Sequence, residues 1–154
     1  MSSAPTVPTV AIPYPELERF CRACAARMGF SPADGETFAD VLLAGSLRSL
    51  PGQGQGVSRI GTYHERMQAG VIDPAARLET VSRGPAVALL DAHRASGHVA
   101  ATRAMELALD IAAEAGIGAV GVRDSTHFGV AAYYAERALE GDGVGVSIRH
   151  GPRV

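Results

Sequence analysis

The stretch Asp124-Ser125-Thr126-His127-Phe128-Gly129 is the chain's first candidate for chemistry, a polar, histidine-bearing segment set between two strongly apolar ones. An imidazole titrates near neutrality, so it can both give and take a proton. Ile117 to Val122 before it reads as a short buried strand, and Val130 to Leu139 after it as a helix. His127 therefore belongs at a strand-to-helix turn, and in open α/β sheets ligands collect at the carboxyl ends of strands. A histidine that caps the helix or completes the turn is the alternative reading of the same residues.

Other patterns invite chemistry and support it less. Pro51-Gly52-Gln53-Gly54-Gln55-Gly56 could bring backbone amides against an anion. It has no preceding strand and no Gly-Lys-Ser/Thr ending, which argues against a Walker-type site and leaves a plain connector or a ligand-shaping loop. Gly116-Ile117-Gly118-Ala119-Val120-Gly121 matches G-x-G-x-x-G, but a dinucleotide fingerprint follows a strand and opens a helix, whereas this one closes a helix and becomes a strand. These glycines are expected to cap the helix and permit close packing. Cys21 and Cys24 form a lone C-x-x-C without the second pair of a zinc site, and their spacing fits one apolar helix face. A buried structural pair is expected. His64, grouped with Val57, Ile60 and Met67 on one helix face, reads as a satisfied core or surface histidine.

Positioning these residues requires a compact chain. With 154 residues, 47% hydrophobic and 19% charged, the sequence can bury one core or two interdependent lobes. Its 14 basic residues are all arginine and are scattered, against 16 acidic ones, which argues against a nucleic-acid partner. No apolar run reaches membrane-spanning length and Met1 to Ile12 lacks the features of a signal peptide, so a cytoplasmic protein is expected.

The chain divides into an arm over 1–13, a helical segment over 14–75 and an α/β segment over 76–154. A helix from Tyr14 carries Leu17, Phe20, Cys21, Cys24, Ala25 and Met28 at helical spacing and stops at Gly29. Ser31-Pro32, with Asp34, opens the next. Strands follow at Leu78 to Val81 and Ala86 to Leu90, the second apolar enough to be central; then come a helix over Val99 to Ala115, the His127 loop and its helix, and a strand over Val144 to Ile148. The order from Ala86 is β-α-β-α-β, which predicts parallel pairing.

Several separated matches, in order, carry a resemblance to a known family. They are Leu47-Arg48; Gly56-Val57-Ser58-Arg59-Ile60 with Tyr63; Leu90-Asp91 with Gly97; Ala115-Gly116-Ile117; Ser125 to Gly129 with Tyr134-Ala135; and Gly143-Val144-Gly145. Together they resemble the N-terminal part of the malate/L-lactate dehydrogenase-like family, NAD(P)-dependent oxidoreductases that are distinct from Rossmann-type lactate dehydrogenases. The resemblance implies an α/β fold of this type in incomplete form, NAD or NADP as cofactor, and a small carboxylate-bearing substrate: a 2-oxo or 2-hydroxy acid or a cyclic imino acid. It implies that His127 is the acid/base and that Arg48, Arg59, Tyr63 and Gln55 face the substrate; a guanidinium can grip a carboxylate through two parallel hydrogen bonds. Ser125 and His150 fall on the cofactor side.

Three departures accompany these matches. Gly54-Gln55-Gly56 stands where the family carries Ser-His-Gly, and glutamine cannot shuttle a proton. Arg149 and His150 replace a Ser/Asn segment. The chain is about half the family's length, which predicts a fragment, one subunit of a split enzyme, or a reduced, non-catalytic binding module. Uncovered sheet and apolar surface predict a homodimer or a complementing second chain.

Overall fold

The computed structural model describes residues 10–48 and 56–149. Helix α1 (Tyr14–Arg27) begins just after Pro13 and ends before Gly29. Helix α2 (Pro32–Leu47) starts as its sequence predicts: the Ser31 side chain accepts from the Asp34 backbone N–H, satisfying one of the donors a helix start leaves open. The two helices pack side by side, and Arg22 on α1 reaches Glu18 of its own helix and Glu36 and Asp40 on α2. A 3₁₀ turn (Val57–Arg59) leads into α3 (Ile60–Gln68).

The sheet has three strands in the order β1 (Glu79–Arg83), β2 (Val87–Asp91), β3 (Ala119–Arg123). The first pair is antiparallel, with an irregularity between Thr80 and Ser82; the second is parallel, from Val87 opposite Ala119 to Asp91 opposite Arg123. The apolar β2 is central, as expected. Between β2 and β3 runs α4 (Gly97–Ala115), closed by Gly116 in the left-handed conformation at φ 79°. An added Cβ on Gly118 would collide with the Ala108 carbonyl, so the G-x-G-x-x-G run does cap and pack. The Asp91 carboxylate accepts from the His93 amide and from Arg123 Nε at 2.7 Å, holding it below the usual carboxylate range and joining the ends of β2 and β3.

Several expectations change. The segment after His127 is a short helix α5 (Ala131–Ala135) that tightens into a 3₁₀ stretch (Glu136–Gly141). Val144 to Ile148 is irregular chain, because a strand needs a neighbour for its backbone groups and no described strand lies beside it. Thus the predicted β-α-β-α-β forms among the described residues as β2-α4-β3-α5, without its last strand. On α3 the apolar face is centred on Tyr63, 1% exposed, while His64 lies on the surface; on α1, Phe20 is also exposed. Cys21 is buried and Cys24 half-buried, both as free thiols, and burial, helped by Cys24, raises the Cys21 thiol to about 11, so it packs rather than reacts.

The main core lies where α2, α3 and the start of α4 converge, and it is aromatic. Phe38 stacks on Phe30 at 4.8 Å between ring centres and meets Tyr63 and His98 edge-on at 5.6 and 5.0 Å. Ala25, Leu42, Ile72 and Val99 complete it. Helical and α/β segments therefore share one interior. Replacing Phe38 by alanine should cost about 3–5 kcal/mol of unfolding free energy in a denaturant titration; a loss below about 1 kcal/mol would show that the ring does not anchor this core.

His98 is fully buried in that core, and desolvation, with the charge of His127 second, lowers its pKa to about 3. The unfolded chain then binds the proton more readily. The His98 contribution is complete above the ordinary value of 6.5 and is lost as pH falls from there toward 3. Unfolding measured across that range should lose stability at a rate on the order of 1 kcal/mol per pH unit. His98→Phe should flatten the slope, and an unchanged slope would show that another group sets it.

Candidate active site

Parallel β2 and β3 end side by side at Asp91 and Arg123, so the loops that follow them, 92–96 and 124–130, emerge together. The first leads into α4 and the second carries His127. Backbone bonds join them: the Ala92 amide donates to the Arg123 carbonyl at 3.0 Å and the Arg94 amide to the Asp124 carbonyl at 2.9 Å. Thr126 adds a side-chain clamp, its hydroxyl accepting from the Gly97 amide at 2.9 Å and donating to the Ala95 carbonyl at 3.3 Å. Gly97 permits this approach, since a Cβ there would collide with the Thr126 and His127 carbonyls. The loop bearing His127 is thus held against the N-terminus of α4.

On the other side Tyr134 donates to the Phe128 carbonyl, and the two rings stack at 5.2 Å. Gly129, at φ 75°, takes a turn that side-chain-bearing residues adopt at a cost and points its N–H back at His127 Nδ1, 3.2 Å away. Tyr63 Oη lies 2.9 Å from the same nitrogen. A backbone N–H only donates, so Nδ1 is an acceptor and the neutral ring carries its proton on Nε2.

The half-buried His127 has its pKa lowered, first by burial and then by the charges of Arg149, Arg59 and Arg66. The neutral imidazole is the resting form near pH 7. Tyr63 has its pKa raised by burial, with Arg59 and Arg66 opposing that rise.

The sequence-predicted residues separate into groups. His127, Tyr63 and Arg59 are brought together, and Arg59 Nε is buried without a hydrogen-bond partner among the described residues. Tyr63 engages His127 through its hydroxyl. Arg48, at the end of α2, is tied to the Ala44 carbonyl at 3.1 Å and paired with Glu136. Ser125 is exposed on the His127 loop. Gln55 and His150 lie outside the described residues.

The sequence alone does not single out His98 or Arg66. His98 ends the polar run Asp91 to His98, and nothing local separates it from a solvent-facing residue at the start of a helix. Arg66 follows Tyr63 by three residues on α3, a spacing that places it on the same face once Tyr63 is known to point inward.

The malate/L-lactate dehydrogenase family model matches residues 12–154. A malate dehydrogenase of Pyrococcus abyssi is 36% identical over 139 residues, covering 90% of this chain and 38% of that protein. An L-sulfolactate dehydrogenase of Methanocaldococcus jannaschii is 34% identical over 122 residues, covering 79% and 35%. Among solved structures, the malate dehydrogenase of Pyrococcus horikoshii OT3 superimposes with a TM-score of 0.81 at 31% identity, covering 86% of this chain and 37% of that one. The chain spans little more than a third of the length of these relatives. With a parallel β2-α4-β3 unit presenting a histidine at its strand ends, and with matches along nearly its whole length, the chain belongs to the malate/L-lactate dehydrogenase family.

Proposed function

We propose that this chain carries the substrate-binding and proton-transfer part of a nicotinamide-dependent oxidoreductase acting on a small 2-oxo or 2-hydroxy acid or a cyclic imino acid. The observation that carries the reading is the state of His127: Nδ1 is held by two donors, so Nε2 keeps its N–H free of that network. A neutral imidazole held this way can donate to a carbonyl oxygen or imine nitrogen as that atom gains electron density. As Nε2 releases its proton, the Tyr63 hydroxyl can pass its own to Nδ1 and leave the ring neutral, and in the reverse direction it takes that proton back.

Arg59 is the better carboxylate clamp of the two predicted arginines. Its Nε is buried and unsatisfied among the described residues, a state that costs free energy until an acceptor arrives, whereas Arg48 already has Glu136. Together with Arg66 and Arg149 it makes the surroundings of His127 strongly cationic, which suits an anionic substrate.

The donor set fits the proton half of a hydride-transfer reaction. A bound nicotinamide cofactor would supply the hydride as NADH or NADPH in the reducing direction and would accept it as NAD or NADP in the other. Ser125, exposed on the same loop, together with His150, is assigned to the cofactor side. Titrating the chain with NADH and NADPH, read by nicotinamide fluorescence, should give saturable binding; no saturation would overturn autonomous catalysis. His127→Ala should cut turnover by roughly 10²–10⁴-fold while leaving cofactor affinity nearly unchanged, and Arg59→Ala should act chiefly on KM. Equal loss of turnover and cofactor affinity in the His127 variant would make that residue structural.

The exposed apolar surface favours assembly. Val144, Val146 and Ile148 are 95, 69 and 87% exposed, and Val87 and Ile117 are exposed as well. An apolar stretch of this kind is stable in water when a second copy or a complementing chain covers it. Size-exclusion chromatography with light scattering should report a dimer or larger species, and a well-behaved monomer would contradict this reading.

A further inference from the structure

His98 lies outside the proton-transfer steps proposed above, yet it touches both groups that act on His127. Its ring is fully buried, and its Nδ1 is 2.9 Å from the hydroxyl of Ser96, itself 1% exposed. That bond sets the plane of the imidazole. Its ring and that of Tyr63 meet edge-to-face, 4.7 Å between centres with 84° between planes. Its Cδ2–Nε2 edge faces Gly129 so closely that a Cβ built on the glycine would lie 3.1 Å from each of those atoms. Val41, from α2, closes on the same point at 3.0 Å. Nε2 itself has no hydrogen-bond partner among the described residues.

Tyr63 and Gly129 are the two donors on His127 Nδ1. One flat, fully buried ring therefore stands behind both of them. A hydroxyl on a rotatable phenol and an N–H on a glycine turn are each free to drift unless something stops the phenol from tilting and the turn from sinking inward. Packing against a ring with a hydrogen-bonded edge supplies that stop at both places. We propose that His98 is a positioning residue for His127: by bracing Tyr63 and Gly129 together it holds both donors on Nδ1 and so keeps the proton of the neutral ring on Nε2, where a substrate can receive it. This rests on the reading of His127 as the acid/base.

The test is the tautomer of His127, read from the nitrogen chemical shifts of its ring in long-range ¹H–¹⁵N NMR spectra of the full chain. Spectra are recorded at a pH about two units above the ordinary imidazole value, so that the neutral form is observed. Wild type should show the Nε2–H form. His98→Ala, which leaves a void, and His98→Leu, which fills the volume without a flat edge, should both shift His127 toward a mixture of the two tautomers. His98→Phe restores a flat ring and should restore the Nε2–H form.

Should His98→Ala fail to fold, as judged by the dispersion of its amide spectrum, the contrast between the Leu and Phe variants decides. A folded Ala or Leu variant with the wild-type tautomer overturns the proposal, and so does a Phe variant that behaves like Leu. The measurement needs neither cofactor nor turnover. A catalytically silent chain with these tautomer shifts would therefore sink the functional reading and leave the bracing role standing.

Discussion

The hydrogen bond between Tyr63 and His127 joins residues 64 positions apart and is the point at which the core becomes a site. Tyr63 is 1% exposed, its ring packed against Phe38 and His98 in the main aromatic cluster and its hydroxyl at that cluster's edge. A buried phenol needs a partner for its polar tip, and here the partner is a histidine on a different structural unit. The packing of α2, α3 and α4 thus decides where His127 points, and a change in the core is transmitted to the imidazole through one rigid ring.

Electrostatics act on top of that geometry. Burial and the arginine charges push His127 toward its neutral form, and a donor-only backbone N–H on Nδ1 excludes the proton from that side. Deeper burial pushes His98 much further in the same direction. The two histidines are therefore both neutral at ordinary pH but differ in access: one is half-buried on a loop at the strand ends, the other fully enclosed at the start of α4. That difference is the physical basis for proposing a proton-transfer role for the first and a supporting one for the second.

Local signals in the chain are sufficient where local physics decides the outcome. The Ser31 cap, the left-handed Gly116, the central apolar β2 and the strand-to-helix position of His127 each depend on a few neighbouring residues, and each is found as expected. The segment Val144 to Ile148 has an equally strong strand pattern and forms none among the described residues, because alternation states a preference while a strand also requires a neighbour's hydrogen bonds. His64 and Tyr63 show the same limit on a helix. They are adjacent, and only the direction from which α2 packs selects the tyrosine for the interior.

By itself the sequence determined the class of fold, the family and the histidine at its centre, since these follow from periodicity, turn chemistry and ordered motifs read along the chain. Only the tertiary structure decided which residues serve that histidine. It placed Tyr63 and Gly129 on one ring nitrogen, His98 behind them, an unsatisfied Arg59 nearby and Arg48 on Glu136. The physical reason is that hydrogen bonds act over about 3 Å in space, so partners far apart in sequence become identifiable only once packing has brought them together.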